Sequence, residues 1–151
     1  MRQRESAMRS SILFSLTIAT SVLAISPAFA RMVVLSATLD GRQQVPPVET
    51  TGKGAAEISY DTATRQLDWT VTYSGLSGPA IAAHFHGPAG PGENAAPVVP
   101  FKPPLASPVS GSATLTEEQG RELLDGKLYV NIHTAAHKDG EIRGQVTKDP
   151  L

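Results

Sequence analysis

Apolar and polar residues alternate with a period of two in short runs along most of the chain, which is the strand period. The clearest run is 66–74, where Leu67, Trp69, Val71 and Tyr73 alternate with Asp68, Thr70, Thr72 and Ser74. Such a run places one face in a core and the other toward polar surroundings. Similar patterning predicts strands over 31–39, 55–60, 80–86, 109–115, 127–133 and 141–147, with a short edge strand over 98–101. Turn residues separate these runs, among them Asp40 with Gly41 and Gly75 with Gly78 and Pro79. Thr116 followed by Gln119 is a capping-box pattern that opens one short helix, closed by Asp125 and Gly126. About seven strands and one short helix predict an all-β fold, a Greek-key-like sandwich or barrel.

The first 30 residues are set aside as a secretory signal peptide. Arg2, Arg4 and Arg9 precede an apolar run of about 14 residues from Ile12 to Ile25, and Ala28 and Ala30 supply the small-x-small cleavage pattern. The run is shorter than the roughly 20 apolar residues that span a bilayer. Cleavage after Ala30 is therefore expected, with export to the periplasm or medium and no membrane span in the mature chain. Residues 31–151 then form a single domain, and no internal repeat is visible. Without Arg2, Arg4, Arg9 and Glu5 the chain keeps ten basic and thirteen acidic residues, which gives no support for nucleic-acid binding. There is no cysteine, so neither a disulfide nor a thiolate ligand is available, and lipoprotein attachment is excluded.

All four histidines fall in two patches, His84 and His86 in AHFHGPAGPG and His133 and His137 in LYVNIHTAAHKDGEIRGQV. By alternation Ile81, Ala83 and Phe85 point inward, so His84 and His86 share the other face. In 127–133 the apolar face is Leu128, Val130 and Ile132, which places Tyr129, Asn131 and His133 opposite. His137 lies beyond that strand, before the turn at Asp139 and Gly140, where it either completes a site or faces solvent. Glu141, Arg143 and Gln145 form the polar side of the last strand. Between the patches, residues 87–108 contain seven proline and three glycine residues, a long connection of the kind that is often functional or mobile.

The segments AAHFHGPAGPGENAAPVV (82–99) and LYVNIHTAAHKDGEIRGQV (128–146) resemble the CHRD domain, the module named from repeats in chordin. LSATLDGRQQVPP (35–47) is similar to the usual start of such a domain. The resemblance implies an all-β domain. It implies little about chemistry beyond the analogy that chordin binds growth-factor ligands.

Three readings follow. In the first, His84, His86 and His133 bind a copper or zinc ion, with His137 as fourth ligand, since imidazole suits both metals. Glu141, Asp139 and Glu93 are candidate oxygen ligands or groups that orient an imidazole, although solvated carboxylates at turns are the plainer expectation. Arg143 is expected to pair with a carboxylate or dock an anion. In the second, the domain is an interaction module whose polar face and 87–108 loop meet a protein or glycan, with Tyr129, Phe101 and Arg143 as contacts. The third is a hydrolase or redox enzyme using the histidine cluster, for instance in the manner of copper-zinc superoxide dismutase, but that enzyme's disulfide cannot form here and four histidines are too few for its paired metals. A serine-based triad has no support, because no G-x-S-x-G elbow is present.

Overall fold

The computed structural model describes residues 31–148, so the expected leader (1–30) and the last three residues lie outside the described residues. The elements in chain order are β1 (Met32–Asp40), β2 (Lys53–Asp61), β3 (Gln66–Ser74), β4 (Ala80–His86), β5 (Pro97–Pro100), β6 (Val109–Thr114), α1 (Glu117–Leu124), β7 (Tyr129–Thr134), β8 (Ile142–Gln145) and β9 (Thr147–Lys148). A short 3-10 turn (Gly41–Gln43) follows β1; Asp40 caps it by accepting the Gln43 amide at 3.1 Å.

The strands pair in the order β5-β4-β7-β8-β1-β2-β3-β6, with β9 also on β1, in a nearly closed barrel-like sheet. The expected all-β architecture with one short helix is what the chain adopts. The expected strand 141–147 is divided because Val146 turns inward, its amide donating to the Leu128 carbonyl at 2.9 Å while β8 and β9 contact β1 on either side of it.

Period-two patterning explains the core. Leu35, Ala37 and Leu39 of β1, Ala56, Ile58 and Tyr60 of β2, and Leu67, Trp69 and Val71 of β3 are all buried, and their alternate neighbours face outward. Phe85 of β4, Trp69 of β3 and Phe101 after β5 pack together in the core, with ring centroids 4.9–5.3 Å apart. The capping box forms as expected, Thr116 Oγ1 accepting from the Gln119 amide at 3.1 Å and Gln119 Oε1 from the Thr116 amide at 3.0 Å.

Ile81 departs from the alternation. It was expected inward but is 55 % exposed. Ala80 pairs with Thr134 and Ala82 with His133, so Ile81 is the extra residue of a bulge and is pushed off the ladder. The parity beyond it is kept, with Ala83 and Phe85 buried.

Replacing the fully buried Leu39 with alanine is expected to cost about 2–5 kcal/mol. Replacing Met32, 59 % exposed at the start of the same strand, is expected to change stability by about 0.5 kcal/mol or less. Urea unfolding midpoints of the two variants test this inside-outside assignment.

Candidate metal centre

Every residue of β7 is buried, on both faces. Val130 and Ile132 belong to the barrel core, whereas Tyr129, Asn131 and His133 face outward and meet, respectively, Ala95 of the 87–96 loop, Gln44 of the segment after β1 and the Lys138 carbonyl of the turn after β7. Gln44 Nε2 donates to Asn131 Oδ1 at 2.7 Å, and Asn94 Nδ2 donates to the Val45 carbonyl at 2.9 Å, which ties the two covers together. Arg143 reaches in from β8, its guanidinium carbon 3.6 Å from the Tyr129 ring centroid. It donates to the carbonyls of Glu93 at 2.7 Å and Gly90 at 3.0 Å. Gln145 Nε2 donates to the carbonyls of Ala89, Gly126 and Leu128. The outer face is therefore a second, polar core.

His84, His86 and His133 meet within it. His84 pairs with Asn131 across β4 and β7, and His133 pairs with Ala82, so the three rings share one face of two neighbouring strands. One nitrogen from each ring lies within 4.8 Å of the others. The hydrogen bonds of the remaining nitrogens identify two of them. His86 Nδ1 lies 2.9 Å from the Ala95 carbonyl and His133 Nδ1 lies 2.8 Å from the Lys138 carbonyl. A carbonyl only accepts, so in the neutral ring each Nδ1 carries the proton and each Nε2 keeps its lone pair. His133 Nε2 lies 3.3 Å from His84 Nδ1. Two nitrogens at about 2.0–2.1 Å from a tetrahedral ion are separated by about 3.3–3.5 Å, so this pair already has the spacing of two ligands.

His86 Nε2 is buried and has no hydrogen-bond partner among the described residues. Buried polar atoms almost always have one. Burial lowers the pKa of His84, and the neighbouring His133 lowers it further. Burial likewise lowers that of His86; its bond to Ala95 opposes this, while His84, His133 and Arg143 add to it. Both rings are thus held toward the neutral form that coordinates a metal.

The family model of the CHRD domain matches the chain over residues 35–146, which contain all of these elements except the first three residues of β1 and the whole of β9. The chain belongs to the CHRD family. No curated protein and no solved structure matches it.

His137 is not part of the converging group of this CHRD domain. It is half-buried in the turn after β7, where its amide bonds to the Thr134 carbonyl at 3.1 Å, and it lines a groove with Glu49, Thr50 and Ser77. Gly140, at φ +122°, closes that turn against Asn131, where any side chain would collide with the carboxamide. Asn131, expected on the His133 face, is there; Gln44 and the particular carbonyls of Ala95 and Lys138 are participants that residue type alone does not reveal.

The three carboxylates occupy other roles. Glu93 and Asp139 are exposed, and only their backbone carbonyls enter the layer, accepting from Arg143 and from Asn131 Nδ2. Glu141 is fully buried rather than solvated, because both its oxygens are saturated by neutral donors. Thr50 Oγ1 at 2.6 Å and the Ser77 amide at 2.8 Å donate to Oε1, and Ser77 Oγ at 2.6 Å and Thr134 Oγ1 at 2.7 Å donate to Oε2. Arg143 was expected to pair with a carboxylate or an anion; it has no carboxylate in ion-pair range among the described residues, and it spends its donors on loop carbonyls and amides. Tyr129, Phe101 and Arg143 were expected as partner contacts, and all three are buried.

Burial would raise the Glu141 carboxyl, but the bonds from Ser77, Thr50 and Thr134 outweigh it and hold the pKa at about 2 against an ordinary 4.5. A carboxyl depressed on folding stabilises the native state above its unfolded value, and that contribution is lost as pH falls from about 4.5 toward about 2. Glu141→Gln is expected to lower stability at pH 7 by about 1–3 kcal/mol, since its buried donors lose a charged acceptor. The variant should also lose part of the stability decline between pH 4.5 and 2, as measured by denaturant unfolding at several pH values.

Proposed function

We propose that this CHRD domain binds one copper or zinc ion through His84 Nδ1, His86 Nε2 and His133 Nε2. The observation that carries this reading is the buried His86 Nε2, left without a partner among the described residues beside two imidazoles whose facing nitrogens, His84 Nδ1 and His133 Nε2, have only each other as partners at 3.3 Å. The hydrogen bonds from the opposite nitrogens to Ala95 and Lys138 are what a metal-binding imidazole uses to fix its tautomer and raise its basicity. Three protein nitrogens leave a coordination position for water or another exchangeable ligand. We hold the protein to be exported, periplasmic or secreted, on the leader read in residues 1–30.

The test is calorimetric titration of tag-free protein with copper(II) and zinc(II), together with elemental analysis. One equivalent is expected to bind. His84→Ala combined with His86→Ala should abolish binding while circular dichroism remains that of a β domain, and His137→Ala should leave binding intact. Unchanged stoichiometry and affinity in the double variant would overturn the assignment. Because the ligand rings must be neutral and His84 and His86 lie below the ordinary 6.5, affinity should hold at neutral pH and fall only below about 6.5.

A further inference from the structure

Among the described residues the three histidines converge without a carboxylate in ligand range. No carboxylate of the described residues joins the group, and Glu141, the buried acid close by in sequence, has both oxygens occupied by Thr50, Ser77 and Thr134. The charge that is present is positive. Arg143 is 1 % exposed, has no acidic partner among the described residues, and lies on the ring of Tyr129. That ring in turn stacks on His86, with centroids 5.0 Å apart and planes 13° apart. Asn131 occupies the position between the two, opposite His84 on one side and Arg143 on the other, and its carboxamide is neutral.

Three neutral donors give a divalent ion no charge compensation, and a buried guanidinium one aromatic ring away adds repulsion that low local dielectric makes stronger. Repulsion from Arg143 scales with the charge of the ion, so a singly charged ion is penalised half as much. Copper(I) is such an ion, binds imidazole, and is satisfied by three ligands without a fourth.

We infer that the histidine site is built to hold copper(I) in preference to divalent ions, with the uncompensated Arg143 as the residue that sets this preference. The inference rests on the metal reading above and names the oxidation state of its occupant. Arg143 is not a ligand; it acts through the field it places on the site.

The test compares the full chain's affinity for copper(I), measured anaerobically by competition with a chromophoric chelator, with its affinity for zinc(II). The wild-type protein is expected to bind copper(I) at least a hundredfold more tightly. Asn131→Asp puts a carboxylate of the same shape between Arg143 and His84, and Arg143→Gln removes the cation; each should lower the copper(I)-to-zinc(II) affinity ratio tenfold or more. Arg143→Lys keeps the charge and should keep the ratio. The aspartate variant keeps Arg143 and gives up only the Asn131 Nδ2 bond to the Asp139 carbonyl, and because the readout is a ratio of two affinities for one variant, it reports on charge even where Arg143→Gln fails to fold. Tighter zinc than copper(I) binding in the wild type, or a ratio unchanged in Asn131→Asp, overturns this inference while leaving the metal site standing. Absence of any bound ion overturns both.

Discussion

A buried guanidinium that has no carboxylate must be satisfied by dipoles and by a ring face, and Arg143 organises the outer half of this domain on those terms. Its stacking on Tyr129 and its bonds to the carbonyls of Gly90 and Glu93 pull the 87–96 loop down over β4, β7 and β8. Desolvating a cation in this way is costly unless every donor direction is used. The loop must therefore present its backbone oxygens to the sheet rather than to water. Once it does so, the Ala95 carbonyl falls within reach of His86 Nδ1, and Tyr129 Oη exchanges hydrogen bonds with Ala95. The orientation of His86 is thus a consequence of how Arg143 is satisfied.

Two cores share β7. The apolar one uses Val130 and Ile132, and its energetics are those of area removed from water. The polar one uses Tyr129, Asn131 and His133, and its energetics depend on complete hydrogen bonding, because a half-satisfied buried network is worse than none. Asn131 uses both ends of its carboxamide, accepting from Gln44 and donating to the Asp139 carbonyl. Against that background the unpartnered Nε2 of His86 stands out.

Much of this was legible in the chain. The alternation in 66–74 matches β3 residue for residue, and strand parity put His84, His86 and His133 on the non-core faces of their strands, which the pairing of β4 with β7 makes one face. Parity could not say that the face is covered. The covering groups are backbone carbonyls of Gly90, Glu93, Ala95 and Lys138, whose positions no side-chain pattern encodes, and Gln44, which reaches Asn131 from 87 residues away. Glu141 was misread for the same reason: a carboxylate beside a turn looks solvated until Thr50 and Ser77 arrive from 91 and 64 residues away. Ile81 failed because a bulge consumes one residue without altering the pattern on either side.

The separation of the two buried charges also follows from strand geometry. Thr134 and His133 are adjacent on β7 and therefore point to opposite faces. Thr134 donates to Glu141, and His133 belongs to the layer that contains Arg143. Neighbours in sequence thus place the acid and the base on opposite sides of one strand. Had Glu141 turned to Arg143, four hydroxyl and amide donors of Thr50, Ser77 and Thr134 would have lost their acceptor, at about 1–3 kcal/mol for each one left buried and unsatisfied. A single buried ion pair gains too little net free energy to offset that. The carboxylate therefore stays with its neutral donors, and the positive field over the three histidines persists as the outcome of hydrogen-bond satisfaction elsewhere in the sheet.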